Sequence, residues 1–408
     1  MSETRRKTFK YRIYPHKATT EKLQWTLDRC RELYNAALQE RKEAYKYAKK
    51  SITCYEQIND LPEIKNEIRL EYQEIAAHVL QDVLRRLDKA FKNFFRRIRN
   101  GEKPGYPRFQ GRNHYDSFTY PDSAGWKLEV TKEPEGKKKG KAILRLTKIG
   151  DACVVLHRPI EGAIKTVTIK REGECWFVVC SCAVTECEKL SVSYEDVGID
   201  LGVTHFAALS DGTFIESPRY YRKAEKKLEK LQQTLSRKKR GSHRRKKAVR
   251  VVAQAHRKIR NQRRDFVHKA SRKLVNTYQV IVFEDVQTSN LVKRPKHKQD
   301  ENGTYLPNGA STKAGLNKSI ADAGWYSFTE MTKVKAEWAG RTVLFVNPYK
   351  TSQICSGCGT EVKKDLSERW HSCPCGVELD RDTNAAKNIL AVGHKHFLGR
   401  KRPTLATA

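Results

Sequence analysis

The chain has 408 residues, enough for several domains with sizeable cores, and carries 81 Lys and Arg against 47 Asp and Glu, a formal net charge of +34. So large a cationic excess repels itself in a folded protein unless a polyanion screens it, which points to nucleic acid ahead of an anionic membrane. No apolar run approaches the roughly 20 residues of a spanning helix, and the basic start, Met1 to Lys7, lacks the apolar stretch of a signal peptide, so no membrane partner is expected.

The expected setting is the cytoplasm, at the nucleoid. The eleven cysteines suit a reducing compartment with one metal site better than a disulfide framework, because most are scattered and two close pairs stand near the C-terminus.

Residues 8–14 alternate like a strand, stopped by Pro15. Thr19 or Thr20 is then expected to cap a helix whose apolar positions are Leu23, Leu27, Cys30, Tyr34 and Leu38. A second amphipathic helix carries Ile75, Val79, Val83, Leu87, Phe91, Phe94 and Ile98. Its other face holds Arg85, Arg86, Lys92, Arg96, Arg97 and Arg99, expected to meet backbone phosphates. Gly101 closes that helix. The loop Gly105-Tyr106-Pro107-Arg108-Phe109 sets aromatics beside Arg, a pattern that stacks on bases or equally anchors a loop to a core. Strands at 142–147, 152–156, 163–170 and 175–184 predict a small antiparallel barrel or sheet.

Val197 to Val203 form an apolar, β-branched run interrupted by Asp200, and residues 206–209 and 213–215 follow around a Ser210-Asp211-Gly212 turn. Residues 219–274 hold 23 Lys or Arg and three acids, and Gly241-Ser242 breaks them into a helical hairpin. Same-sign charge at that density destabilises helices unless phosphates lie against it, so Arg244, Arg245, Lys246, Lys247, Arg263 and Arg264 are candidate nucleic-acid contacts. A buried strand follows at Val280 to Glu284, then a polar loop at 294–316, a helix at about 319–339 and a strand at 343–346. Residues 380–392 read as helix and 394–408 as a disordered tail.

Residues 196–392 thus run through three strands, a helix, a strand, a helix, a strand and a last helix. Acids fall at the tips of two strands, Asp200 and Glu284, and at the start of the last helix, Asp382. That order resembles the RNase H-like nuclease fold. Hard oxygen ligands converging from separate segments suit two Mg²⁺ ions about 4 Å apart, which would activate water for phosphodiester hydrolysis. Ala385 and Ala386 would let the last helix pack closely on the sheet, with Asp380 as its N-cap or an Arg partner. Separately, Cys355-Ser356-Gly357-Cys358 and Cys373-Pro374-Cys375 read as knuckles of a zinc site. The second is one residue short of the usual spacing, which leaves His371 as an alternative ligand.

Together, Tyr11-Arg12-Ile13-Tyr14-Pro15, Gly105-Tyr106-Pro107-Arg108-Phe109, Gly198-Ile199-Asp200-Leu201-Gly202, Gln262 to Lys269, Phe283-Glu284-Asp285, Asp322-Ala323-Gly324-Trp325, Thr351 to Cys355 and Asp380 to Ala386 resemble the TnpB family, relatives of type V CRISPR effectors. The resemblance implies an α+β multidomain protein. It implies a wedge β-barrel from 1–16 and 112–190, a helical recognition insert at 17–111, and an RNase H-like (RuvC) α/β nuclease domain from 191–350 and 378–393. The inserted zinc ribbon would occupy 351–377. It also implies Mg²⁺ on Asp200, Glu284 and Asp382, and Zn²⁺ on Cys355, Cys358, Cys373 and Cys375. A guide RNA would pair with target double-stranded DNA, so that pairing reads sequence and a basic channel reads backbone. The leading expectation is an RNA-guided DNA endonuclease. A cleavage-dead, RNA-guided DNA-binding repressor is the alternative, disfavoured because the acids are intact. Oligomeric state is left open.

Overall fold

In the computed structural model, described over residues 5–112, 114–185, 189–365 and 368–398, the chain divides into two units, Met1–Glu186 and Cys187–Ala408. In the first, β1 (Arg5–Pro15) sits at the centre of a seven-stranded antiparallel sheet of order β2-β6-β7-β1-β5-β4-β3. Its partners are β2 (Ser117–Tyr120), β3 (Trp126–Lys132), β4 (Gly140–Leu146), β5 (Gly150–Leu156), β6 (Ala163–Glu172) and β7 (Cys175–Val184), which make a half-barrel. Phe9, Tyr11 and Ile13 alternate into the core, as the pleat requires. The strands β2 and β3 are additional to those expected.

Between β1 and β2 lies a helical insert. It contains α1 (Lys17–Ala48), α2 (Cys54–Asn59), α3 (Leu61–Glu63), a π-helical turn at Ile64–Ile68, a 3-10 turn at Leu70–Glu74, and α4 (Ala77–Arg99). Leu23, Leu27, Cys30, Tyr34 and Leu38 share one core with Val79, Val83, Leu87 and the sheet. Two expectations are corrected. His16, not a threonine, precedes α1 without a side-chain cap, and the Thr20 hydroxyl instead donates to the His16 carbonyl. The apolar stripe of α4 leaves the core after Phe91, with Phe95 and Ile98 exposed.

The second unit is built on a five-stranded sheet of order β10-β9-β8-β11-β14. β8 (Asp196–Asp200), β9 (His205–Leu209) and β10 (Phe214–Glu216) form an antiparallel meander, while β11 (Val280–Glu284) runs parallel to both β8 and β14 (Thr342–Val346). α5 (Tyr220–Ser236) and α6 (His243–Thr277) form the expected hairpin. Gly241 turns it with φ +83, and the Ser242 hydroxyl accepts from the Arg245 amide to start α6.

The stretch 294–316 is not structureless. After α7 (Thr288–Leu291) it forms a small hairpin, β12 (Lys298–Gln299) with β13 (Tyr305–Leu306), and begins α8 (Ala310–Ala323). The single helix expected at 319–339 is two, because Gly324 at φ +72 ends α8 and starts α9 (Trp325–Ala339). β15 (Trp370–Ser372) pairs with β16 (Glu378–Asp380), and α10 (Arg381–Leu398) follows. Residues 394–398, expected in the tail, are therefore helical, and residues 399–408 lie outside the described ones.

Strand parity separates two cores. Ile199, Ile281 and Phe283 face α6 and α9, meeting Val267, Leu274 and Phe328. Val280, Val282 and Val346 face α10 at Ile389. Among the described residues no helix is long and apolar enough to cross a membrane.

Candidate active site and metal centre

The close approach of α10 to β8 positions the acids. A Cβ on Gly198 would fall on the Ala386 carbonyl and the Leu390 amide, so only glycine admits the helix there. Ala385 and Ala386 are buried, as expected from their size. Asp200 shares its parity with Gly198, and Glu284 with Val280 and Val282, so both carboxyls face α10 at the carboxyl ends of neighbouring parallel strands.

The helix runs antiparallel to them. His394 contacts Asp196 at 2.9 Å at the start of β8, and the amino end of α10 brings Asp382 beside Asp200. The Asp380 carboxylate accepts from the amides of Asp382 at 2.9 Å and Thr383 at 3.3 Å, which makes it the helix cap.

The three acids, far apart in sequence, therefore share one site. Burial holds the Asp200 carboxyl well above the usual carboxylate range. The charges of Glu284 and Asp382 and a hydrogen bond with Glu284 add to that, while Arg381 opposes it. Glu284 is raised as well, chiefly by burial. The hydrogen bonds from Asp200 and the Leu201 amide hold it back. Arg369 and Arg381 lie 3.8 and 3.9 Å from Asp382, the nearest compensating cations. Clustered oxygen donors that repel one another are the donor type a hard divalent cation takes, although among the described residues only the four cysteines are gathered closely enough to hold an ion as they stand.

The four cysteines form a second cluster. The Cys355 and Cys375 sulfurs are 3.6 Å apart, as are those of Cys358 and Cys373, and all four lie within 4.8 Å of one another. Tetrahedral zinc with bonds of about 2.3 Å places its sulfurs about 3.8 Å apart, so this donor set fits. The shortened Cys373-Pro374-Cys375 knuckle closes because the Gly376 amide, at φ +91, donates to the Cys373 carbonyl at 2.9 Å. His371 is buried on β15 outside this set, so it is not needed as a substitute ligand. The Thr360 hydroxyl and backbone lower the Cys358 thiol, whereas the neighbouring sulfurs raise Cys373 and Cys375.

Two buried or half-buried asparagines that sequence reasoning missed join the clusters. From α10, the Asn384 amide donates to the Ile354 carbonyl at 2.7 Å, and its oxygen accepts from the Ser356 amide at 2.9 Å. Asn388 donates to the carbonyls of Thr351 at 2.8 Å and Ile354 at 2.6 Å. Their i, i+4 spacing on one helix face was the available signal. The first cysteine knuckle is thereby clamped to the helix that presents Asp382.

The candidate nucleic-acid contacts divide. Arg85, Arg96, Arg97 and Arg108 are exposed, as are Arg244, Lys246, Lys247 and Arg264. Three others, partly exposed, also make contacts within the chain. Arg86 donates to Asp82 and the Ser117 carbonyl at 2.7 Å and to Thr119. Arg245 donates to the carbonyls of Leu235 and Lys238 at 3.0 and 3.1 Å, closing the α5–α6 turn. Arg263 donates to the Ala321 carbonyl at 2.8 Å and lies 3.8 Å from the buried Asp322, which accepts from the Tyr221 amide. Tyr106 anchors its loop, packing edge-on against Phe91 and Phe94 while remaining 46% exposed.

Residues 179–294 match a family model described as "Probable transposase", residues 325–389 match "Cas12f1-like, TNB domain", and residues 1–50 match "Helix-turn-helix domain". The "Putative RNA-guided DNA endonuclease InsQ" of Escherichia coli (strain K12) is 32% identical over 393 residues, covering 96% of this chain and 93% of its own. The "Putative RNA-guided DNA endonuclease" of Streptomyces pristinaespiralis is 33% identical over 402 residues, covering 96% and 90%. The solved "Structure of the mini-RNA-guided endonuclease CRISPR-Cas_phi3" aligns with a TM-score of 0.53 at 10% identity, over 98% of this chain and 93% of that one, a likeness of fold alone.

Proposed function

Because the chain belongs to the TnpB family of RNA-guided DNA endonucleases of insertion sequences, we propose that it hydrolyses target-DNA phosphodiester bonds at Asp200, Glu284 and Asp382, with a guide RNA supplying sequence recognition. The observation that carries this is the meeting of three acids from the ends of β8, β11 and α10 in one strained carboxylate cluster.

Asp200 and Glu284 would hold two Mg²⁺ ions from the strand ends, and Asp382 from the head of α10. Ions so bound would lower the pKa of an attacking water and stabilise the leaving oxygen. Asp380 fixes the backbone of Asp382 through its amide, so that carboxylate needs little reorganisation on binding. Arg369 and Arg381 orient Asp382 and add positive charge where a phosphate would approach.

In this assignment residues 191–350 and 378–393 are the RuvC domain and 351–377 a zinc ribbon on Cys355, Cys358, Cys373 and Cys375. Residues 1–16 and 112–190 are the wedge, and 17–111 the recognition insert. The exposed cations of α4 and the α5–α6 hairpin track guide and target backbones. The test is Asp200→Ala in the guide-RNA complex. Cutting should vanish while guided binding of target duplex persists, and undiminished cutting would refute the assignment.

A further inference from the structure

Beside Glu284 lies a cavity of about 370 Å³, wholly within the second unit. Trp325 and Tyr326, from the first turn of α9, and Phe345 of the edge strand β14 supply aromatic walls. Tyr326 is 70% exposed and Phe345 42%, and Phe345 is steadied by stacking on Phe283 at 6.0 Å. Trp325 is 4% exposed, and its buried indole N–H has no acceptor among the described residues. Asp285 and Glu330 add acidic residues to the lining, and Glu284 borders it at the end of β11 with its carboxyl toward α10. Among the described residues no Lys or Arg lines it, in a chain that holds 81 of them.

That combination rejects a phosphate and accepts a flat ring. An aromatic wall stacks any base, because every base has a π-face. Carboxylate acceptors pair with exocyclic amines, as Asp and Glu do with cytosine N4. The volume matches the lower range of small-ligand cavities. We propose that this cavity seats one unpaired nucleobase of the strand being cut, next to the scissile phosphate. Tyr326 and Phe345 stack it, and Glu330 selects a base that carries an exocyclic amine. The proposal rests on Glu284 belonging to the nuclease centre, and it adds a base preference at the cut that guide pairing does not impose.

The test uses the full protein with its guide RNA and target DNA carrying 2-aminopurine, an amine-bearing fluorescent base, stepped along the strand to be cut. In an Asp200→Ala background, which leaves the DNA intact, one position should be quenched by stacking. Tyr326→Ala should restore its fluorescence. In the cutting protein, Glu330→Leu, which removes the acceptor, should reduce a preference of about tenfold for adenine or cytosine over thymine at that position to near equality. No quenched position, quenching unchanged by Tyr326→Ala, or a base preference unchanged by Glu330→Leu overturns the pocket. Cutting that fails in the parent protein while quenching persists overturns the acid assignment instead, so the two failures are distinguishable.

Discussion

The four sulfurs come from one short segment, and the carboxyls of Asp200, Glu284 and Asp382 from three distant ones. The cysteine knuckles are held by hydrogen bonds between near neighbours, such as the Gly359 amide to the Cys355 carbonyl at 2.9 Å. The carboxyls are held by the whole sheet and by α10, in an arrangement that burial and mutual charge make unfavourable. A cluster of the first kind contributes to folding when metal binds. A cluster of the second kind spends stability that the fold supplies elsewhere, as functional sites commonly do.

The contrast is broken most directly by opposite substitutions. Asp200→Asn should lower cutting at least about 100-fold, the scale for losing one preorganised electrostatic group. The same change should stabilise the metal-free protein, because it removes a buried carboxyl that its neighbours' charges and burial disfavour as an anion. Calorimetry with and without Mg²⁺ checks the sign, and a destabilised variant would end the contrast. Cys355→Ser should do the reverse: zinc measured by metal analysis falls from one per chain, and residues 351–377 exchange amide hydrogens faster.

Asn384→Ala comes next. It leaves the Ser356 amide without its acceptor and should cost about 1–3 kcal/mol, with reduced cutting at a normal zinc content if the clamp positions Asp382. The pH dependence is smaller. Asp200 and Glu284 bind protons more tightly folded than unfolded, so their contribution is fully present below the ordinary carboxylate value and lost as pH rises through the raised ones. The melting temperature of metal-free protein should decline across that window, and Mg²⁺ should flatten the decline. The smallest effect is that of Lys246→Ala. One phosphate contact fewer should lower the salt slope of guide-RNA binding by about one.

What the sequence made legible follows the same contrast. The cysteine pairs and the β-branched strands ending in Asp200 and Glu284 were readable because spacing and local pattern carry them. The short Cys373-Pro374-Cys375 knuckle left a ligand open that only sulfur positions closed. β12 and β13 are two residues each, below any periodic signal, and Gly324 divides a stretch whose apolar spacing runs on through it. Composition treats every cation alike, so Arg86, Arg245 and Arg263 could not be told from free ones until their carbonyl partners were known. Tyr326 and Phe345 meet only because α9 returns beside an edge strand, a tertiary fact with no local trace.

The cysteine-bearing excursion departs after Val346 and rejoins the sheet layer at Arg381, and its first knuckle meets Asn384 and Asn388 of α10 through backbone carbonyls and one backbone amide. Main-chain acceptors are present whatever residues surround them. The module can therefore lengthen, shorten or be exchanged by chimera between relatives, as long as its first knuckle keeps its path beneath the two asparagines.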